Sequence, residues 1–311
     1  MASTTKTFHH APYPAISAEN PSNSQAGKTV LITGSASGVG YEIANKFAQA
    51  DASRIIISGR NSKTVNKAAT DLTKEAKSSE ILTRVFSISE EASIDQLWES
   101  FSNEGILIDV LILNAADTSG GPVNPLLKAW PQFRAMFNTN VFGNVLMTAR
   151  FLDSPNSVNR QKTLINLTSC LAHSNPARLQ AAYSASKVAS SSFFQHLAQE
   201  IPVEQCRIIN LHPGLIPNTS STGKAPPELI KMVRWDEASL PASVCVWAST
   251  PAASFLHGRF IWSNWDVEEL AQRETKLHEP GYLRIGLQGV EYVDVTKLFD
   301  QIREKDASGT Q

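Results

Sequence analysis

The feature that most constrains this fold is a regular alternation of short apolar runs and helix-like segments from Lys28 onward. Six apolar runs take part, namely KTVLITG, RIIISG, TRVFSIS, IDVLILNAA, KTLINLTS and CRIINLHPG. Continuous apolar runs, rather than alternating ones, indicate strands that are covered on both faces. Because helices separate the strands, the pattern predicts one α/β domain in three layers, with a doubly wound parallel sheet between two layers of helices.

The alternation also divides the chain. Residues 1–27 are rich in Ser, Asn and Pro, so we expect a flexible polar arm there. Residues 28–266 form the α/β domain, and residues 267–311 form a C-terminal extension. The arm has no apolar stretch of the kind found in a secretory signal. We interpret its adjacent His9 and His10 as a solvated pair, because no second cluster of metal ligands is in view.

Composition excludes several classes of function. The 28 Lys and Arg residues balance 29 Asp and Glu residues, so nothing predicts binding to nucleic acid or to an anionic membrane. No segment approaches the roughly 20 apolar residues that span a bilayer. The cysteines, Cys170, Cys206 and Cys245, lie far apart without a C-x-x-C pair. The sequence therefore predicts neither a disulfide scaffold nor a metal site, and it suits a reducing, cytoplasmic location.

A glycine-rich segment follows the first predicted strand, and its residues are Gly34, Ser35, Ala36, Ser37, Gly38, Val39 and Gly40. Glycines let the backbone approach a pyrophosphate, and the N-terminus of the following helix supplies N–H groups and partial positive charge. The spacing differs from the commoner G-x-G-x-x-G fingerprint. A tight turn that binds nothing is the alternative, but three glycines at this place favour a dinucleotide site.

The second strand ends in Gly59, Arg60 and Asn61. An acidic residue here would bind the ribose 2′-hydroxyl of NAD and repel a 2′-phosphate. Arg60 can instead form a bidentate pair with that phosphate, which favours NADP over NAD. The alternative is a surface arginine without a ligand.

Tyr183 and Lys187 have the i, i+4 spacing that places two side chains on one helix face. An ammonium group near a phenol favours the phenolate, which a tyrosine needs for acid–base chemistry near neutral pH. Such a pair also occurs by chance. Ser169 lies fourteen residues before Tyr183, at the end of the fifth strand, where its hydroxyl can bind a substrate oxygen.

Taken together, these motifs resemble the short-chain dehydrogenase/reductase family, in its single Rossmann-domain form, from about Lys28 to about Asp266. TGSASGVG resembles the cofactor loop of the family, and LNAA its NNAG element. Asn140, in NTNVFGN, resembles the asparagine of the catalytic tetrad. NLTS followed by YSASK resembles the Ser-Tyr-Lys core, and HPG resembles the turn beside the nicotinamide.

The resemblance implies a Rossmann fold and a role for each tetrad residue. Tyr183 is then the general acid or base, and Lys187 lowers its pKa and binds the ribose. Ser169 polarises the substrate carbonyl, and Asn140 positions a water that links Lys187 to a proton relay. The implied cofactor-binding residues are Gly34, Ser35, Ser37, Gly38, Val39, Gly40, Arg60, Asn61, Asn114, Ala115, Tyr183, Lys187, Pro213 and Gly214. The resemblance also implies a homo-oligomer, either a dimer or a tetramer.

Some positions depart from the family pattern. Ser37 stands where many NADP-dependent members have a basic residue, so the preference for NADP depends on Arg60. The usual threonine after Pro-Gly falls at Asn218, with Thr219 next to it. The C-terminal segment resembles the ends of fungal short-chain reductases, including ones attached to secondary metabolism.

Residues 215–240 follow the Pro-Gly turn and are predicted to be a lid over a small, partly apolar substrate. Its apolar residues are Leu215, Ile216, Leu229, Met232 and Trp235, and His173 and Arg178 belong to the opposite wall. The leading hypothesis is an NADP-dependent reductase of ketones or aldehydes, or the reverse alcohol dehydrogenase. A non-redox isomerase, lyase or cyclase, and a nucleotide-sensing binding protein, are the alternatives.

Overall fold

The chain forms a parallel sheet of seven strands in the order β3-β2-β1-β4-β5-β6-β7. This computed structural model describes residues 4–76, 78–119, 123–157, 160–174, 180–217, 234–279 and 281–287. The strands are β1 (Thr29–Ile32), β2 (Arg54–Gly59), β3 (Glu80–Val85), β4 (Val110–Leu113), β5 (Lys162–Leu167), β6 (Cys206–His212) and β7 (Arg259–Trp262). Five of the six predicted runs contain a whole strand, whereas TRVFSIS shares only its first three residues with β3, which begins at Glu80. The doubly wound parallel sheet is confirmed.

Helices cover both faces of the sheet. They are α1 (Gly38–Gln49), α2 (Ser62–Glu75), α3 (Glu91–Glu104), α4 (Leu126–Phe137), α5 (Asn144–Asp153), α6 (Ala181–Glu200), α7 (Ser239–Ala248) and α8 (Val267–Ala271). Ile32 of β1 packs in one core cluster with Phe47 of α1, whereas Leu31 packs in the other with Phe194 of α6. Successive strand residues thus enter opposite cores, which is why the strands read as continuous apolar runs.

The strand order creates a crevice at one edge of the sheet. The chain runs from β1 to β2 and β3 in one direction and then returns to β4 on the other side of β1. Ligands of open α/β sheets bind at the carboxyl ends of the strands where the order reverses. The glycine loop follows β1 and Asn114 follows β4, so both lie at this crevice.

The N-terminal segment lies along the domain, which differs from the flexible arm that its composition predicts. Ile16 is fully buried, and Phe8 forms a β-bridge with Trp265. Buried Gln25 donates its side-chain amide to the carbonyl oxygen of Val246 at 3.1 Å. The Gln25 amide is thus satisfied by protein groups, and composition alone does not reveal such a partner.

His9 and His10 are not the solvated pair that we expected. His9 Nε2 lies 2.8 Å from Asp266 Oδ2, and His10 Nδ1 lies 2.5 Å from Asp236 Oδ1. Each histidine therefore joins the N-terminal segment to a carboxylate more than two hundred residues away. A sequence cannot indicate such pairs, because the partners are brought together only by the fold.

The described part of the C-terminal extension also packs on the domain. The side chain of Asp266 caps α8 by accepting hydrogen bonds from Glu268 N and Glu269 N. The Gln195 side chain of α6 accepts from Ile285 N at 2.7 Å and donates to Ile285 O at 3.1 Å. Among the described residues, no helix combines the length and the apolar character that crossing a membrane requires.

Candidate active site

The glycine loop between β1 and α1 has the backbone that its sequence predicts. Gly34 and Gly38 have φ angles of +65° and +59°, in the left-handed region where a side chain causes strain. Helix α1 begins at Gly38, and the exposed Ser37 before it makes no side-chain capping bond. The first backbone amides of α1 therefore lack helical partners and are available as donors at the crevice, and Ser37 is exposed beside them.

Two residues of the loop have roles inside the protein. The Ser35 hydroxyl is buried, donates to Ile32 O at 2.8 Å and accepts from Ser58 N at 2.9 Å. Because its backbone N–H also donates to Ser58 O at 2.9 Å, Ser35 joins β1 to β2 through both its side chain and its backbone. A Cβ atom on Gly40 would lie 2.7 Å from Gly34 O, so this glycine lets α1 approach the loop closely.

Asn114 connects the two sides of the crevice. Its side-chain amide donates to Thr33 O at 2.9 Å and to Gly34 O at 3.0 Å. The Thr33 hydroxyl accepts from the backbone amides of Asn114 and Ala115, both at 3.0 Å. These bonds hold the loop after β4 against the glycine loop, and Ala115 contacts Gly34 directly. Asn114 thus supports the crevice in addition to the predicted contact with a cofactor.

Arg60 and Asn61, at the end of β2, differ in whether their side chains are available to bind a cofactor. Arg60 is exposed beyond the strand. The Asn61 side chain accepts hydrogen bonds from Lys63 N at 2.9 Å and Thr64 N at 3.2 Å, which makes it the N-cap of α2. Arg60 therefore remains the candidate for a phosphate contact, whereas the Asn61 side chain serves to cap α2.

Ser169 and Tyr183 lie together at the carboxyl edge of the sheet. Ser169 follows β5, where its hydroxyl accepts from Leu171 N at 3.3 Å, and Tyr183 lies in the first turn of α6. Burial raises the pKa of Tyr183 to about 12, the nearby Cys170 adds to the rise, and a hydrogen bond with Ser169 opposes it. Burial also raises the pKa of the Cys170 thiol, which fits an unreactive side chain.

Lys187 is buried below Tyr183. Its ammonium donates to Leu167 O at 2.8 Å and lies 5.8 Å from the centre of the Tyr183 ring. Burial lowers the pKa of Lys187 to about 8. Burial thus opposes the lower Tyr183 pKa that the spacing of Tyr183 and Lys187 favours, because desolvation disfavours the phenolate.

Asn140 lies in a single π-helical turn, Asn138–Gly143, between α4 and α5. Its buried amide donates to Asp117 O at 2.9 Å and to the Ser186 hydroxyl at 3.0 Å, and its oxygen accepts from Asp117 N at 2.7 Å. Ser186 in turn donates to Tyr183 O at 2.8 Å. The Asn140 side chain thus joins the loop after β4 to the start of α6. The sequence does not predict this link.

His212 is the first residue of the HPG motif, and the sequence assigned it no role of its own. It is buried, and its Nδ1 accepts a hydrogen bond from Cys170 N at 3.2 Å. Burial lowers the pKa of His212 to about 3, with a smaller contribution from His173. A neutral His212 therefore ties the turn that carries Ser169 to the end of β6.

His173 lies on the same side of the site. Its Nε2 accepts from the Trp262 indole at 3.0 Å, and its ring packs edge-on against Phe260. It therefore has protein partners, although it remains exposed in part. The other expected wall residue, Arg178, lies outside the described residues.

Pro213 and Gly214 follow β6, and the chain then enters the predicted lid. Gly214 has a φ of +92°, and a Cβ atom there would lie 2.4 Å from Asp236 Oδ2. Ile216 is buried, whereas Leu215 is 40% exposed. Asn218, Thr219, Leu229 and Met232, which we had placed in or near the lid, lie outside the described residues.

The residues at this edge fit a dinucleotide. Positive φ angles at Gly34 and Gly38, together with open space around the Cβ position of Gly38, leave the start of α1 accessible to a pyrophosphate. Ser37 to Gly40 would hold that group, and Arg60 would meet a 2′-phosphate. Ser169 and Tyr183 lie across the switch point, where a substrate would meet the reactive end of the cofactor.

A doubly wound sheet with a glycine loop at its switch point defines a Rossmann-type domain. The sequence model of the short chain dehydrogenase family matches residues 28–229. The chain is 33% identical over 288 residues to the short chain dehydrogenase/reductase nsrO of Aspergillus novofumigatus, covering 91% of this chain and 96% of that one. It therefore belongs to the short-chain dehydrogenase/reductase family.

Solved structures show the same fold. A 7α-hydroxysteroid dehydrogenase complexed with NADH and 7-oxoglycochenodeoxycholic acid matches with a TM-score of 0.70 and 23% identity, over 78% of this chain and 95% of that one. The RhlG/NADP active-site complex of Pseudomonas aeruginosa matches with a TM-score of 0.68 and 22% identity, over 78% and 96% of the two chains.

Proposed function

We propose that this protein is an NADP-dependent oxidoreductase that interconverts a carbonyl group and an alcohol on a small, partly apolar molecule. The observation that carries the proposal is the grouping of Ser169, Tyr183 and Lys187 at the carboxyl edge, across the switch point from the glycine loop. Structural neighbours occur with NADH and with NADP, so the preference for NADP depends on the exposed Arg60 and the absence of an acidic residue beside it.

The chain's own residues supply the proton and hold the substrate. The bound nicotinamide supplies or accepts the hydride at the substrate carbon. In reduction the Tyr183 hydroxyl gives its proton to the carbonyl oxygen, so that C=O, hydride and proton together become CH–OH. The Ser169 hydroxyl donates a hydrogen bond to the same oxygen and favours the charge that develops on it. Lys187 keeps positive charge below the phenol and binds the ribose.

The biological setting is proposed from the relatives. The chain matches a fungal protein along 91% of its length. The resemblance of its C-terminal segment to fungal reductases, some of them attached to secondary metabolism, is the second support. We place this enzyme in fungal secondary metabolism on that basis. Its three cysteines are free, which supports a reducing compartment such as the cytoplasm.

The test is a screen of ketones, aldehydes and alcohols in which NADPH absorbance is followed. We expect turnover of at least one carbonyl class with NADPH. Tyr183→Phe should reduce that turnover by about 10²–10⁴-fold, because only the proton donor is lost, and NADPH affinity should stay close to wild type. Tight binding of NADPH without turnover of any substrate would instead support a nucleotide-sensing protein.

A further inference from the structure

Leu215, which follows the Pro213–Gly214 turn, is hydrogen-bonded to Asp236, which lies 21 residues further along the chain. Asp236 N donates to Leu215 O at 2.9 Å, and Leu215 N donates to Asp236 Oδ2 at 2.7 Å. We call Leu215 and Asp236 the loop base. Asp236 is only 4% exposed, so its carboxylate depends on protein donors for compensation.

One of those donors comes from the N-terminal segment. Asp236 Oδ1 lies 2.5 Å from His10 Nδ1 and accepts from Asn264 Nδ2 at 2.9 Å. The backbone of His10 also takes part, because its carbonyl oxygen accepts from Glu237 N at 2.8 Å. His10 therefore holds the loop base through its ring and its backbone together.

The loop base is fixed against the turn that precedes it. A Cβ atom on Gly214 would lie 2.4 Å from Asp236 Oδ2 and 3.1 Å from its Cγ. The Asp236 carboxylate thus packs directly on the Gly214 backbone. The family resemblance of HPG implies that the nicotinamide binds beside this turn. A change in the position of this carboxylate would shift both the turn and the first residues that cover the substrate.

We propose that His10 is a positioning residue for the carbonyl substrate and that it acts through Asp236 on the loop base. The role in catalysis rests on the proposed reductase function, whereas the role in holding the loop base does not. The N-terminal segment, which precedes the Rossmann domain, then becomes part of the active-site support. His10 touches neither reactant and moves no proton.

Hydrogen–deuterium exchange of the full-length protein tests whether His10 holds the loop base. His10→Ala should increase exchange at the amides of Leu215, Asp236 and Glu237 by about tenfold, the scale of losing one hydrogen bond to a charged group. His10→Asn should restore much of the protection, because its amide Nδ2 can replace ring Nδ1 as donor. Unchanged exchange in His10→Ala would overturn the proposal.

His9→Ala is the matched control. It removes a neighbouring histidine that also binds a carboxylate, but Asp266 caps α8 and makes no part of the loop base. We expect it to lower the melting temperature without changing exchange at Leu215 and Asp236. If His9→Ala has the same effect there as His10→Ala, general loosening of the N-terminal segment explains both, and the specific role of His10 is wrong.

Steady-state kinetics test whether His10 helps to position the carbonyl substrate. His10→Ala should raise the KM of the carbonyl substrate by about tenfold while kcat falls much less, and His10→Asn should lie between it and wild type. A loss of kcat at constant KM would mean only fewer folded molecules and would overturn the positioning role. If the wild type reduces no carbonyl, the proposed function fails, and the exchange experiment still decides whether His10 holds the loop base.

Discussion

Lys187 donates a hydrogen bond from its buried ammonium to the carbonyl oxygen of Leu167 at 2.8 Å, and this bond joins α6 to the end of β5. The lysine thus binds the backbone in addition to the roles that we propose for it, and burial raises the pKa of Tyr183 to about 12. A variant of Lys187 therefore calls for two measurements, one of cofactor affinity and one of the pH–rate profile with the cofactor saturating.

Lys187→Met keeps the length of the side chain but removes its charge. We expect NADPH affinity to fall by about tenfold, the scale of one charge-assisted hydrogen bond. With NADPH saturating, the limb of the pH–rate profile that reports the phenol should move to higher pH. Lys187→Arg should recover only part of the loss, because it offers a planar fork in place of a compact ammonium. Normal binding and an unshifted limb in Lys187→Met would make Lys187 only a link between α6 and β5.

Arg60→Ala tests the choice of cofactor. NADPH binding should weaken by about 1.5–3 kcal/mol, whereas NADH binding should hardly change, because only NADPH carries the 2′-phosphate. Titration calorimetry with both nucleotides measures the difference. Arg54→Ala is a suitable control, since Arg54 begins the same strand but pairs with Glu80 at the opposite edge of the sheet. Equal weakening of both cofactors would contradict the NADP assignment.

Gly38→Ala tests whether the pyrophosphate lies against the start of α1. Gly38 and Gly105 both have positive φ, +59° and +66°, and at neither would a Cβ atom meet another atom within 4 Å. The two alanine variants should therefore lose similar stability, about 1 kcal/mol, from left-handed backbone strain alone. Only Gly38→Ala should also lose NADPH affinity, as measured by fluorescence titration. Equal affinities in the two variants would place the phosphates elsewhere.

The sequence predicted most of the sheet because the strand residues Leu31 and Ile32 enter opposite cores, which leaves a continuous apolar run as a visible signal. The glycine loop and Ser169 were assigned to one edge because residues after parallel strands meet there. Tyr183 was instead assigned to a helix by its spacing from Lys187. The contacts of His9, His10 and Asn114 were not predictable in this way. Each depends on a partner far along the chain, and polar residues carry no periodicity that identifies such a partner.

The burial of Tyr183 and Lys187 was the other property that the sequence did not reveal. The i, i+4 spacing of Tyr183 and Lys187 predicted a lowered phenol pKa, but spacing contains no information about hydration. Both groups are removed from water, and this moves each pKa toward the neutral form of its group, upward for Tyr183 and downward for Lys187.

Leu127→Glu tests the predicted homo-oligomer. Helix α4 exposes apolar side chains, with Leu127 91% and Trp130 51% exposed, and an exposed apolar face of this kind marks an interaction surface. A charge at its centre should shift the molecular mass in light scattering from the oligomer to the monomer. Leu287→Glu, at an 81% exposed site in the C-terminal extension, should leave the mass unchanged. An unaltered oligomer in Leu127→Glu would exclude this face as the interface.

His212→Asn tests how the protein responds to acid. Burial lowers the pKa of His212 from 6.5 to about 3, so between these values the unfolded chain binds a proton that the folded chain does not. The free energy of unfolding therefore falls on acidification through this window, by about 1.4 kcal/mol per pH unit for one proton. Asparagine keeps an acceptor for Cys170 N but does not titrate.

The measurement is urea unfolding of wild type and His212→Asn at a series of pH values from about 7 down to about 4. We expect the wild type to be the more stable of the two near neutrality and to lose that advantage progressively below pH 6.5, because other titrating groups affect both proteins alike. The difference between the two curves isolates His212 from the carboxylates. A constant difference across the series would show that His212 binds its proton equally in the folded and unfolded states. The prediction that a neutral His212 joins β6 to the Ser169 turn would then be wrong.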